Sequence, residues 1–337
     1  IRIIDMRQEL KAGNRSALSR PLAEELERTF SLGKQSILFL NRRGAANYTF
    51  CHFCGFEFQC PRCDIPLTWH NAERTLRCHF CGFSQPVPAK CPQCGHHEIR
   101  SFGIGLERVE EILHTEFPAA RILRMDAETT ARKGDYERLL TAFSQHEADI
   151  LIGTQMVAKG LDFPDVRLVG MILADVGTNF HDYRVDEHTY QMLTQVAGRA
   201  GRAAEQGLAI LQTFQPDRYS IRAVAAGDFD AFYRQELRYR KRIGYPPFAR
   251  MVRLEVTHVK NERAEAGAIA LSEKIRDVLQ AKNYNSIRMI GPAPCFFPRV
   301  NGKYRWHLIL RGADPAAVVR EIDRSGVRVE VDPPSLL

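Results

Sequence analysis

The sequence predicts an α/β fold: a parallel sheet with helices on both faces, an inserted metal-binding module, and a small α+β domain at the end. Three observations predict it. Short apolar runs alternate with segments of helical spacing as far as residue 213, the pattern of strands covered by crossover helices. Eight of the nine cysteines fall between Cys51 and Cys94 as four C-x-x-C pairs, inside that alternation rather than beside it. Past residue 247, strand-like alternation brackets one long amphipathic segment. A length of 337 residues suits about two to three domains. The expected boundaries are 1–50 with 95–222 for the α/β lobe, 51–94 for the insertion, 223–247 for a linker helix and 248–337 for the last domain.

Within the lobe, 1–6 reads as extended, 22–32 as helix and 36–40 as a buried strand. After the insertion the spacing predicts a helix over 105–116, a strand over 121–125 and a helix over 134–143. Strands at 149–153 and 167–174, a helix from about residue 187 and a strand at 208–213 complete the lobe. One charged helix over 223–243 ends at Gly244-Tyr245-Pro246-Pro247, which no helix passes. Beyond it, 251–257, 305–310 and 327–331 are extended, and 262–280 is an amphipathic helix.

Composition narrows the function. Lys+Arg 47 against Asp+Glu 40 gives a formal net charge of +7, which permits a polyanionic partner without demonstrating one. The balance of residues excludes a collagen-like or wholly disordered chain. No apolar run reaches the roughly 18 residues of a membrane-spanning helix.

Two residues between thiolates let one tight turn present both sulfurs to a tetrahedral zinc, so four pairs make two sites. The stretch between Cys63 and Cys78 has the shape of a hairpin, which groups Cys60, Cys63, Cys78 and Cys81 on one zinc. Elimination leaves Cys51, Cys54, Cys91 and Cys94 for the other; adjacent and cross-braced pairings stay open. Four thiolate ligands leave no open coordination position, so the metal is structural. His52, His79, His96 and His97 are surplus to that need and read as surface, and Cys295 reads as a packed thiol.

Two further segments carry chemistry. Gly153-Thr154 follows a strand and leads to Gly160-Leu161-Asp162, a turn suited to backbone contacts with phosphate. In Gln195-Val196-Ala197-Gly198-Arg199-Ala200-Gly201-Arg202, Arg199 and Arg202 stand at i and i+3, so both guanidiniums project toward one target. A permanently charged planar fork is what a transferring phosphoryl group demands.

Residues 154–162 and 195–202 resemble motifs V and VI of superfamily 2 helicases. The run Phe39-Leu40-Asn41-Arg42-Arg43-Gly44, followed by the four C-x-x-C pairs, is similar to the bacterial primosomal replication-restart helicases. Residues 126–133, Asp182-Tyr183-Arg184, Tyr245-Pro246-Pro247-Phe248 and Gly291-Pro292-Ala293-Pro294 are similar to that family as well. The resemblance covers essentially the whole chain. It implies a RecA-like second helicase lobe with a binuclear zinc module, in a 3′→5′ DNA helicase that uses ATP and Mg2+ at stalled forks and drives primosome assembly. It also implies a cytoplasmic, nucleoid-associated monomer. Its site residues would be Gln195, Arg199 and Arg202 in catalysis, with Thr154, Gly160 and Asp162 coupling nucleotide to DNA.

No G-x-x-x-x-G-K-[ST] loop and no D-E-x-H box occurs, and Ile1 stands where a Met would start a chain. The expectation is therefore the C-terminal half of a longer enzyme, without ATPase by itself; the alternative is a fork-binding scaffold that has lost ATPase. Leu106 stands where the family usually has Thr, and His188 where it often has Arg. Forked and single-stranded DNA would meet the aromatic and basic residues of the zinc segment and the basic cluster Arg234, Arg238, Arg240, Lys241 and Arg242. Arg299, Lys303, Arg305 and His307 are expected to contact DNA or the acidic tail of single-stranded DNA-binding protein. The strand geometry favours Lys303 with His307 as the anion contact.

Overall fold

A computed structural model describes residues 1–40, 48–51, 53–63, 65–70, 73–97, 99–102, 105–154, 163–174, 182–200 and 207–336. The chain divides into two compact units: Ile1–Glu57, Pro88–Asn179 and Asp186–Phe232 form the first, and Phe58–Val87, Phe180–Val185 and Tyr233–Leu337 the second.

The first unit is built on a six-stranded sheet in the order Arg2–Asp5, Leu208–Thr213, Val166–Ile172, Gln35–Leu40, Ile150–Gly153, Ile122–Met125. Every pairing in it is parallel. All residues of Gln35–Leu40 and Ile150–Gly153 are buried, as a sheet covered on both faces requires. The two-residue period of a strand then sorts the core. Leu38 and Leu40 join Leu22, Leu26 and Val109 on one side, while Ile37 and Phe39 join Phe143, Leu193 and Val196 on the other. Burying such a side chain is worth about 1.5–3 kcal/mol, which is why the helices lie where their apolar stripes point. The helix Arg20–Ser31 approaches the sheet closely at Gly170, where a Cβ would stand 2.5 Å from a methyl of Leu38 and 2.9 Å from one of Leu22.

Local signals explain two departures from the sequence expectation. The first strand stops at Asp5 because its side chain accepts a hydrogen bond from the Arg7 N–H (3.0 Å) and starts a helix, Met6–Lys11. The single charged helix expected over 223–243 is two, Tyr219–Ala226 and Phe229–Ile243, broken where Gly227 takes a left-handed φ of 66°.

The second unit holds a four-stranded antiparallel sheet, ordered Arg288–Val300, Lys303–Gly312, Arg250–His258, Val327–Val331. The helices Asn261–Ala281 and Pro315–Arg320 supply its core against Val252, Leu254, Leu308 and Leu310. Arg288–Val300 carries Pro292, Pro294 and Pro298, and it lies at the sheet edge with an irregular register, where a missing N–H is tolerated. The same unit includes a small antiparallel sheet of Thr68–His70, Thr75–Arg77 and Ser84–Pro86.

Candidate metal centres and the helicase motifs

The eight paired cysteines converge in two clusters, Cys51/Cys54/Cys91/Cys94 and Cys60/Cys63/Cys78/Cys81, with all sulfurs of a cluster within 4.8 Å of one another. The Cys51–Cys94 and Cys54–Cys91 sulfurs are 3.6 and 3.7 Å apart, and Cys60–Cys81 3.6 Å. Zn–S bonds of about 2.3 Å in a tetrahedron put sulfurs about 3.8 Å apart, so the donor set fits zinc. In each cluster two sulfur-bearing residues are buried and two half-buried.

Backbone turns make this geometry. The Cys51 N–H donates to Phe56 O (2.9 Å) and the Gly55 N–H to Cys51 O (2.7 Å); Cys78 with Phe83 and Gly82, and Cys91 with His96 and Gly95, repeat the pattern. Other N–H groups of the knuckle, those of Phe53 and Cys54 at the Cys51 sulfur and of Phe56 at the Cys54 sulfur, favour thiolates, which is the form that binds metal. Without a cation the same crowding is costly. Burial, then the neighbouring sulfurs, push the Cys54 thiol well up, and the sulfurs of Cys60, Cys78 and Cys81 do the same to Cys63. These are two four-cysteine zinc sites of structural type.

The histidines beside them behave differently from expectation. His96 and His97 are exposed, with His96 stacked on Phe53 at 3.8 Å, and His52 lies outside the described residues. His79 is not surface: it is 5% exposed, and its Nε2 shares a 2.9 Å hydrogen bond with Nε2 of His70. Several aromatic rings proposed for base stacking are likewise committed. Phe58 and Phe80 are buried, and Phe83 lies under the Arg62 guanidinium.

In the α/β unit, Thr154 directly follows the strand Ile150–Gly153, half-buried, with its N–H on Met125 O (3.4 Å). Gln195 is exposed near the end of the helix Val185–Ala197, and Arg199 occupies the turn after it, half-buried. Gly160, Asp162 and Arg202 lie outside the described residues. That helix is held at its start by Asp186, whose carboxylate takes Arg218 (2.8 Å) and Ser220. Burial works to raise the Asp186 carboxyl, but the Arg218 guanidinium outweighs it and holds the group below its usual range.

Sequence reasoning missed Arg124. It sits among Glu107 (3.0 Å), Glu110 (3.5 Å), Asp126 (2.7 Å) and Glu128 (2.9 Å), tying the strand Ile122–Met125 to the helix Leu106–Glu116. No local signal in the sequence says that four carboxylates share one guanidinium.

The basic clusters separate into exposed cations and cations turned inward. Arg299 and Lys303 are exposed, and so are Arg234, Arg238, Lys241 and Arg242. Arg240 is buried against Glu236 (2.6 Å). Arg305 is not the anion contact expected: its Nε and Nη2 donate to Glu255, at 3.0 and 2.6 Å, beside buried Arg253. His307 corrects the same expectation, since it is 1% exposed and desolvation pushes its pKa down to about 4. A neutral, buried imidazole holds no anion. Alternation places 303, 305 and 307 on one face as expected, but at His307 that face meets the backbone of His79 and Phe80.

A parallel lobe of this topology, carrying four-cysteine ribbons, defines a helicase C-terminal lobe with a zinc insertion. Family models agree: residues 98–204 match the helicase conserved C-terminal domain, 60–86 the PriA DNA helicase Cys-rich region domain, and 241–334 the primosomal protein N C-terminal domain. Over nearly its whole length the chain is a relative of the PriA replication restart family. It is 42% identical over 343 residues to the replication restart protein PriA of Bacillus subtilis, covering 98% of this chain and 42% of that protein. The PriA of Synechocystis is 38% identical (98% and 41% covered), and that of Treponema pallidum 36% (95% and 50%). The chain thus spans about two fifths to one half of the length of these three relatives.

Proposed function

We propose that this chain is the C-terminal half of an ATP-dependent 3′→5′ DNA helicase that acts at stalled forks and promotes primosome assembly in replication restart. What carries the reading is the joint presence, in one chain, of a helicase C-terminal lobe, a PriA-type cysteine-rich region and the primosomal C-terminal domain. ATP and Mg2+ serve the whole protein. Arg199 and Arg202 meet the charge that develops on the transferring phosphoryl group, with Gln195 positioning, while Thr154, Gly160 and Asp162 link the nucleotide to the DNA strand. The two zinc ions stay structural. Phosphate contacts come from the exposed Arg234, Arg238, Lys241, Arg242, Arg299 and Lys303. The acidic tail of single-stranded DNA-binding protein is a further partner, with Lys303 its remaining cation here. The protein works as a cytoplasmic monomer.

The test is DNA-stimulated ATPase and fork unwinding by the intact encoded protein. Arg199→Ala lowers turnover by about 10³-fold or more, the range for an arginine that meets transition-state charge, and leaves DNA affinity within a few-fold. An intact protein that binds forks yet hydrolyses no ATP would favour the scaffold reading instead.

A further inference from the structure

The second unit contains a cavity of about 610 Å³ that no helicase motif accounts for. The size lies within the usual range for small-ligand sites. One wall is aromatic: Tyr304 and Trp306 alternate onto the same face of the strand Lys303–Gly312. The small zinc-ribbon sheet contributes His70, His79 and Arg77 to the lining. The strand and the ribbon sheet belong to the same compact unit.

The polar groups inside have directions. The Trp306 indole N–H donates to Asn261 Oδ1 (3.1 Å), which fixes the carboxamide and turns its NH2 away from that contact. The His70 and His79 Nε2 atoms share one hydrogen bond, so the imidazole edges face one another across the ribbon rather than presenting a charge. Arg77 in the lining is already paired with Glu73, and Glu265 stands there as an acceptor. The cavity is therefore close to neutral, with flat apolar faces and a few amide-like donors and acceptors. Its mouth is basic, because the Arg299 guanidinium lies 5.2 Å from the Tyr304 ring centroid and Lys303 is exposed beside it.

We infer that this cavity takes one unpaired nucleobase of single-stranded DNA, stacked on the Tyr304–Trp306 wall, with the flanking phosphates on Arg299 and Lys303. A planar heteroaromatic with hydrogen-bonding edges and an anionic chain on either side matches both the neutral interior and the cationic mouth. A carboxylate-rich peptide does not, since Glu265 lines the interior. The inference rests on the DNA-binding reading above and goes further in naming the site and the part of the strand it holds.

The experiment uses the intact zinc-loaded protein and a short oligodeoxynucleotide carrying a single abasic position at successive places. At one position the abasic change weakens binding by about 5- to 150-fold, the range that one stacked base contributes. Tyr304→Ala weakens the unmodified strand to a similar degree and abolishes the further loss at that position, whereas Tyr304→Phe restores both. Zinc content and thermal unfolding unchanged from the parent show that Tyr304→Ala folds; His70→Ala serves as a second variant from the ribbon sheet. Photocrosslinking with 5-iododeoxyuridine at that position captures Tyr304, Trp306 or His70. Equal affinity for intact and abasic strands, with crosslinks elsewhere, overturns the cavity assignment and leaves the DNA reading standing. A proline-rich or acidic peptide that binds and is lost in Tyr304→Ala, with DNA unaffected, also overturns it. No single-stranded DNA binding by the parent overturns both.

Discussion

The two zinc sites have nearly the same interior and different attachments. Each gathers two buried and two half-buried cysteines with sulfurs 3.6–3.7 Å apart, through knuckles that share one hydrogen-bond pattern. The Cys51/Cys54/Cys91/Cys94 site is fastened to the parallel lobe: Arg7 donates to Cys54 O (3.3 Å), Phe50 packs on Phe214 (4.7 Å), and Glu57 pairs with Arg218 (3.5 Å). The Cys60/Cys63/Cys78/Cys81 site is fastened to the C-terminal sheet and the turn that precedes it, where His79 meets Phe296 (5.6 Å) and Phe80 meets Tyr245 edge-on (6.3 Å). A metal can organise a segment too small for its own core, but it cannot choose the surface on which that segment rests. The side chains just outside each knuckle make that choice.

The largest effect expected is from metal removal. Structural zinc contributes about 10–16 kcal/mol of apparent binding free energy in small modules, most of it folding free energy. A strong chelator should unfold residues 51–94 while the parallel sheet persists, and elemental analysis should return two zinc ions per chain. Cys54→Ser and Cys60→Ser should each leave one. Hydrogen exchange would then show protection lost around the matching attachment surface alone. Loss of protection at both surfaces in either variant would break the independence of the two sites.

The next effect distinguishes the units by pH. His307 is buried beside Arg253, and desolvation pushes its pKa down to about 4 from an ordinary value near 6.5. The unfolded chain therefore binds a proton that the folded chain refuses. Stability of the second unit is fully present above about pH 6.5 and is lost as pH falls toward 4, by roughly 3 kcal/mol in total. Replacing the ring by His307→Gln should flatten that slope; thermal unfolding between pH 7 and pH 5 measures it. An identical slope in parent and variant would show that another group carries the titration.

The sequence carried much of this, unevenly. Strands such as Gln35–Leu40 were legible because burial on both faces demands an unbroken apolar run, and the cysteine spacing announced four knuckles. The edge strand Arg288–Val300 was missed because its three prolines argue against a strand, and only an edge position with broken register reconciles them. Arg305 and His307 were placed on the correct face but given the wrong role. Period two tells which residues share a face; it does not tell that residues some 230 positions away meet it at His307. Arg240 failed as a phosphate contact for a related reason, since Glu236 one turn earlier is near enough to claim it.

The smallest effect sharpens the comparison at single glycines. Gly55 and Gly95 hold equivalent places in the two knuckles of one zinc site, with φ of 79° and 74°. Any L-residue there bears a left-handed backbone, costing about 1–2 kcal/mol. At Gly95 nothing lies within 4 Å of where a Cβ would be, so Gly95→Ala should cost only that. At Gly55 the Cβ would stand 2.7 Å from the Phe214 carbonyl oxygen and 3.1 Å from Arg7 Cδ. The side chain of Arg7 can move, but the carbonyl belongs to the chain just after the interior strand Leu208–Thr213 and cannot retreat cheaply. Gly55→Ala should therefore cost about 1–3 kcal/mol more than Gly95→Ala, in the range typical of overpacking, with both variants still binding two zinc ions. Denaturant unfolding of the two variants side by side measures the difference. Equal destabilisation would mean that the knuckle rests on the lobe through its rings and ion pairs alone, and that the backbone contact at Phe214 is incidental.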